Sequence, residues 1–309
     1  VHSLRIIYDT NGWAWHHQAI GLQTHAPSDF HVTLAGKANY ESLAACLGSE
    51  PPTLLLVYGE RSPRIAGEYI KRQCWPTKLV VRWSTGWPHR LSYLEEVRDF
   101  ADLIVFNNRQ YWDRTGRLPR TAYVPNGVDL EVFGMRRSIE GRRPRVLWCG
   151  SALHREIKGF EDVLIPLRHE LERRSIDCDF RIVESHSGTK LTRAEMAAWY
   201  NEGTILVCAS RTEGTPNTAL EAAACGCTIV STAVGNMPEL IRNGENGYLV
   251  DRDVGRFVDA IVRATENYPR LANALQSDIQ EWGWLTRAPV FFEILRAVAT
   301  GTMETITAA

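Results

Sequence analysis

No two of the 23 glycines in this 309-residue chain are separated by a single residue, so the G-x-G-x-x-G turn that brings backbone onto a dinucleotide pyrophosphate is absent. That disfavours a nicotinamide enzyme. G-x-x-x-x-G-K-[ST], H-E-x-x-H and G-x-S-x-G are absent too, which weakens the cases for a P-loop triphosphatase, a zinc hydrolase and an α/β-hydrolase. Neither sign of charge is in excess: 35 basic and 36 acidic residues leave a formal net charge of −1, so nucleic acid is not expected as a primary ligand. No apolar run reaches the roughly 18 residues that a membrane span needs. The opening "VHSLRIIYDTNGWAWHH" also lacks the charged, apolar and small-residue regions of a signal peptide. The reading is a soluble, unexported protein. Seven cysteines (46, 74, 149, 178, 208, 225, 227) form an odd, scattered set. Most lie inside apolar runs, as buried thiols of a reducing cytoplasm do. Cys225 and Cys227 flank one glycine with no second pair or histidines nearby, so no metal site is expected.

What the chain does contain is a rhythm. Short runs rich in Val, Ile and Leu alternate with longer amphipathic segments, the pattern of parallel sheets with helices on both faces. Strands are expected at 4–9, 30–35, 53–59, 78–83, 103–107 and 121–125, and again at 145–150, 179–184, 204–210, 227–232 and 247–250. Between the two series, "NGVDLEVFGMRRSIEGRRPR" has turn chemistry at Asn126-Gly127, little periodicity and clustered arginines, and reads as an exposed linker. The expected domains are 1–125 and 145–284, with a linker at 126–144. A closing helix within 285–309, returning to the first domain, ends in a frayed tail. Ligands of such sheets bind beyond the carboxyl ends of the strands.

The chemistry concentrates in "RTEGTPNTALEAAACGCTIVST", residues 211–232. Strand 204–210 should end near Ser210, with Thr215 as N-cap and Pro216 as first helical residue of a helix over 216–225, stopped by Gly226. Glu213 then sits on the loop, while Asn217 and Glu221, four apart, share one helix face. Amide groups of Gly214, Thr215, Asn217 and Thr218, with the positive end of the helix dipole behind them, suit a diphosphate. Carboxylates on either side suit sugar hydroxyls. Taken singly, each glutamate reads as a solvated residue; the pair around a Gly-Thr-Pro turn favours a binding site.

The stretch "EGTPNTALEAAACGCTIVSTAVGNMPELIRNGENGYLV" resembles the donor-site signature of the retaining glycosyltransferases of family 4, with Glu213 and Glu221 matching its E-x7-E motif. "VPNGVDLEVF" (124–133) is similar to the segment these enzymes carry where one domain hands over to the next. The likeness is specific over about 124–250 and rests mainly on layout before that. It implies a GT-B fold, two Rossmann-like doubly wound parallel-sheet domains facing across a cleft. It further implies that Glu221 binds ribose hydroxyls, that Glu213 contacts the donor sugar near its reacting carbon, and that Gly214 and Thr215 give backbone contacts. Lys158, in "REIKGFEDVL", matches the lysine that opens the first helix of the second domain and grips the diphosphate. Gly12 matches a loop glycine near donor phosphate and acceptor. Where the family has arginine after the strand glycine this chain has Ser151; Arg155, or arginines 142, 143 and 145, are the candidate replacements. On the acceptor side, Trp13, Ser84, Thr85 and His89 are candidates, whereas His16 and His17 read as helix residues. Segment 183–190, "VESHSGTK", is a candidate lining of the base pocket.

The resemblance implies sugar transfer from a UDP- or GDP-linked donor to a glycan, glycolipid or other hydroxyl, with no cofactor and no metal. The nearest D-x-D, at 251–253, reads as a turn and N-cap. Two alternatives stay open: a sugar-nucleotide epimerase of the same plan, and a non-catalytic sugar-nucleotide or glycan binder, which would keep Glu221 and lose Glu213. The basic segment 61–75 reads either as a solvated helix or as peripheral contact with the inner membrane face.

Overall fold

A computed structural model describes the chain except residues 37–41, 60, 85–91, 152–153, 184–190 and 303–309. The chain divides into two compact units, Val1–Gly127 with Trp284–Ala309, and Val128–Gly283.

In the first unit six strands, β1 (His2–Tyr8), β2 (Phe30–Gly36), β3 (Leu54–Tyr58), β4 (Lys78–Trp83), β5 (Leu103–Phe106) and β6 (Thr121–Tyr123), form one sheet in the order β2-β1-β3-β4-β5-β6. Every pairing is parallel. All five residues of β3 are buried, as befits a continuous apolar run covered on both faces. Alternation along the strands sends Leu4, Ile6, Leu54, Leu56 and Val80 to one side and Ile7, Leu55, Val57, Leu79 and Val81 to the other. Helix α1 (Ala14–Thr24) covers the first side together with α13 (Trp284–Thr300), whose Phe291, Phe292 and Leu295 join that core. Helices α2 (Leu43–Leu47), α3 (Ser62–Arg72), α4 (Leu94–Phe100) and α5 (Arg109–Arg114) cover the second. On the amphipathic α3, Arg64 pairs with Glu68 and Glu96.

The second unit repeats the plan with β7 (Arg145–Ser151), β8 (Asp177–Val183), β9 (Ile205–Cys208), β10 (Thr228–Ser231) and β11 (Gly247–Leu249) in the order β11-β10-β9-β7-β8, again all parallel. After β7 come α6 (Arg155–Lys158), a π-helical stretch at Phe160–Leu164 and α7 (Ile165–Arg173). The remaining helices are α8 (Arg193–Glu202), α9 (Asn217–Ala224), α10 (Met237–Leu240), α11 (Val254–Glu266) and α12 (Tyr268–Ile279). Val146, Trp148, Ile205 and Val207 pack with α7 and α11, while Leu147, Cys149, Leu206 and Ile229 pack with α8, α9 and α12.

Both sheets share one topological feature. The first strand of each is flanked by its second and third strands, so winding reverses between β1 and β3 and between β7 and β9. Such switch points open a crevice at the carboxyl ends of the two strands.

Residues 128–144 differ from the exposed linker expected of them, because they pack within the second unit. Val128, Phe133, Ile139 and Arg142 are all buried, and Phe133 lies against the Tyr200 ring at 6.2 Å. The Arg142 guanidinium reaches the carbonyls of Gly203 (3.2 Å) and Cys225 (3.1 Å), so this arginine serves the fold. Arg145 likewise pairs with Asp177, Asp179 and Glu202, and Arg143 is exposed.

Candidate functional site

The switch point of the second unit carries the expected glutamate. Strand β9 stops at Cys208, and the following loop runs to Pro216 before α9 begins at Asn217. The helix thus starts one residue later than the sequence pattern indicates. Pro216, at φ −69° and ψ 83°, is the cap rather than the first helical residue, and Thr215 is buried one position earlier. The first intrahelical donor is Ala219, whose N–H meets the Pro216 carbonyl at 2.9 Å. The amides of Asn217 and Thr218 therefore precede the ladder, at the positive end of the helix dipole. At the other end of α9, Arg142 places a cation on the Cys225 carbonyl, which favours the same dipole orientation.

Glu213 leaves this loop with its side chain 12% exposed. Its Oε1 accepts from the Lys158 ammonium and from Ser210 Oγ, the latter at 2.6 Å. Burial pulls the Lys158 pKa down, but the charge and hydrogen bond of Glu213 outweigh it, and the net shift is upward. Lys158 stays an ammonium. It does not open a helix, as expected, but closes the four-residue α6; Gly159 follows at φ 76° and starts the π-helical stretch. The helix dipole favours a cation at such a C-terminal turn.

Three loops at this end of the sheet are tied together. The Arg211 N–H donates to the Ile157 carbonyl (2.8 Å), and Arg252 Nε donates to the Ala209 carbonyl (2.9 Å). Both arginines pair with Asp162, at 2.8 and 2.6 Å. The hydrogen bond from Arg252 is the main cause that holds the Asp162 carboxyl down at about 2. Gly159 closes the knot, because a Cβ there would stand 2.8 Å from the Ala209 carbonyl oxygen. Gly235, at φ 57°, backs the turn itself: a Cβ there would sit 2.4 Å from the Gly214 oxygen and 2.9 Å from Pro216.

Glu221 projects from α9 one turn beyond Asn217. It keeps partial contact with solvent, yet it lies deep among neighbouring side chains, and this desolvation pushes its carboxyl up to about 7. Its Oε2 accepts from the hydroxyl of Tyr200 at 3.2 Å.

The remaining expectations divide. Ser151 ends β7 and is half-buried. Arg155 does not turn toward Glu213: it pairs with Glu161 at 2.8 Å and lies over the Phe160 ring at 4.6 Å. Asp253 caps α11, accepting from the Arg256 N–H. In the first unit, Gly12 has φ 73°, and its N–H donates to His16 Nδ1 at 2.8 Å. His16 stacks on Tyr8 at 4.5 Å, and Trp13 is the cap position of α1. Ser84 follows β4 and is half-buried. Thr85, His89 and residues 184–190 of the candidate base-pocket segment lie outside the described residues. Sequence reasoning missed Ser210, Tyr200, Gly235 and Arg252. Of these only Gly235 carried a sequence signal, a glycine shortly after an apolar run.

The model of the family described as Glycosyl transferases group 1 matches residues 143–267, which span β7 through α11. The D-inositol 3-phosphate glycosyltransferase of Paenarthrobacter aurescens is 29% identical over 60% of this chain and 53% of its own length, so the chain spans about half of that relative. The GDP-mannose-dependent alpha-(1-6)-phosphatidylinositol monomannoside mannosyltransferase of Mycolicibacterium smegmatis is 26% identical over 89% of this chain and 91% of its own length. Among solved structures, sucrose-phosphate synthase from Thermosynechococcus elongatus superposes with a TM-score of 0.75 over 97% of this chain and all of its own, at 14% identity. Residues 143–267 thus resemble the glycosyl transferases group 1 domain, and the chain's two parallel-sheet units have the GT-B fold.

Proposed function

We propose that the chain is a retaining, metal-independent glycosyltransferase of family 4. It moves a sugar from a UDP- or GDP-linked donor to a hydroxyl of a glycan, glycolipid or similar acceptor. The observation that carries this reading is the convergence of Lys158 and Glu213 from the two strands flanking the second switch point, beside the start of α9. In the proposed reaction the bond between the anomeric carbon and the β-phosphate oxygen breaks, and the acceptor oxygen bonds that carbon from the same face. The acceptor proton passes to the departing phosphate oxygen. Negative charge grows on the diphosphate, where Lys158 and the first amides of α9 stabilise it. Glu213 faces the positive charge developing on the sugar ring, and Glu221 accepts from the ribose diol. Ser151 and the 214–218 turn complete the donor contacts.

Support for metal independence is that Lys158 and the helix start already supply the cationic partners a diphosphate needs. Of the D-x-D aspartates, Asp253 caps α11, and Asp177 and Asp179 pair with Arg145. Among the described residues no helix is long and apolar enough to cross a membrane. We place the enzyme in the cytoplasm, where its seven thiols, none of them in a disulfide, stay reduced.

The test is a thermal-shift screen of nucleoside diphosphates and their sugars, followed by transfer assays with and without EDTA. One uridine or guanosine series should raise the melting temperature, because a ligand of the folded state stabilises it in step with its affinity. Transfer should survive EDTA. Silence from every nucleotide, or activity abolished by EDTA and restored by magnesium, contradicts the reading.

A further inference from the structure

Tyr200 is fully buried on α8, in a core shared with Phe133 and Trp199, whose rings lie 6.2 and 5.2 Å away. For packing alone, phenylalanine would serve. A hydroxyl at such a position is unfavourable unless it is bonded. Its two partners are Glu221 Oε2 at 3.2 Å and Cys149 Sγ at 3.5 Å. The thiol is a weak partner and the carboxylate a strong one, so the hydroxyl proton belongs to Glu221.

Resting on the reading that Glu221 holds the donor ribose, we propose that Tyr200 is a positioning residue: its hydroxyl fixes Oε2 and keeps the carboxylate an acceptor, leaving Oε1 for the ribose diol. A ribose diol offers two donors, and a protonated carboxyl answers only one of them well. Desolvation pushes Glu221 up to about 7, so its acceptor state is in contention near neutral pH, and the Tyr200 hydrogen bond opposes that rise. Other groups also bear on Glu221. Arg193, also on α8, favours the charged form while it pairs with Asp129 at 2.9 Å. Cys149 of β7 and Cys225 beyond α9 are thiols pushed up to about 12, and so remain neutral. Strands β9 and β10 carry no charged residue. From α12, Gln276 meets the Ala223 carbonyl, Asp278 is turned to Arg242 and Asn246, and Arg270 to the carbonyls of Gly244 and Glu245. The hydroxyl of Tyr200 is therefore the largest influence that opposes burial at Glu221.

Two measurements test this. The first follows the Glu221 carboxyl carbon by 13C NMR in the ligand-free protein, in wild type and in Tyr200→Phe. Removal of the hydroxyl should raise the titration midpoint by about one pH unit, the size of a lost charge-assisted hydrogen bond. An unchanged midpoint overturns the proposal. The second measures binding of UDP-glucose and GDP-mannose by calorimetry from pH 6 to 9; these diphosphate diesters carry no phosphate proton that titrates in that range. Wild-type affinity for the donor it takes should rise through the midpoint. Tyr200→Phe should bind about five- to tenfold more weakly near pH 7 and converge on wild type near pH 9. A loss of equal size at every pH would mean a merely structural tyrosine. Glu221→Gln should bind weakly without the pH step; if it binds as wild type does, the ribose assignment itself is wrong, a failure separate from the NMR result.

Discussion

Lys158 and Glu213 are 55 positions apart in sequence, yet the ammonium of one sits on Oε1 of the other, Lys158 carried on the short α6 after β7 and Glu213 on the loop after β9. Ser210 Oγ shares that oxygen. Removing the cation should therefore do two things at once. Lys158→Met strips the ammonium from a largely buried carboxylate, which costs about 1–3 kcal/mol. It also removes charge from the departing diphosphate, and kcat should fall by about 10²–10³. Glu213→Gln keeps shape and lowers kcat, with donor Kd within a few-fold of wild type. Glu221→Ala should do the reverse and mainly raise donor Kd. Steady-state kinetics beside calorimetry separates the cases; equal effects of both glutamate changes on kcat and Kd would contradict the roles.

Arg142 is the structural counterpart of that pair. It is 8% exposed, and its guanidinium meets the carbonyls of Ser138, Gly203, Cys225 and Arg137. Arg142→Ala leaves several buried acceptors unpaired and should lower stability by about 2–4 kcal/mol. A shifted midpoint in urea unfolding reads this directly, and an unchanged midpoint would show that the carbonyls find water.

On the proposed function, Gly235 links backbone geometry to donor binding. Alanine there is strained at φ 57°, and its Cβ would press on the Gly214 oxygen. Gly235→Ala should cost roughly 1–3 kcal/mol and displace the Glu213–Pro216 turn, weakening donor binding. Gly244→Ala is the control. Its φ of 81° is equally left-handed, but no atom lies within 4 Å of the added Cβ, so it should lose stability without changing donor affinity.

The pH dependence of folding follows from Glu221. Its folded pKa lies above the ordinary carboxylate value, so the folded state holds the proton more tightly than the unfolded one. Its unfavourable contribution is absent below about 4.5, grows as pH rises through about 7, and is complete above that. Glu221→Gln removes it. The variant should gain on wild type by roughly 2–3 kcal/mol between pH 5 and pH 8, read from urea unfolding at each pH. A constant difference would mean that the carboxyl titrates as an ordinary surface glutamate.

Much of the fold was legible because its strands are nearly uninterrupted apolar runs. The expected 78–83 coincides with β4, and β7 at Arg145–Ser151 exceeds its expected span by one residue. Boundaries set by loop chemistry were less legible. Pro216 suited either a cap or a first helical position, and the choice rests on ψ, which sequence does not carry. Residues 128–144 look like a linker because their apolar positions follow no regular period, yet Phe133 and Arg142 are held by partners far along the chain. The same is true of the site. The two glutamates were singled out by spacing, but Ser210, Tyr200 and Arg252 act through contacts between elements, and no local pattern marks them.

The most direct measurement is a crystal structure of the protein with its bound nucleotide-diphosphate sugar. The account predicts the diphosphate between Lys158 and the first turn of α9, with the ribose hydroxyls on Glu221 and the sugar beside Glu213. A donor lodged elsewhere, with Lys158 still closed on Glu213, would contradict it.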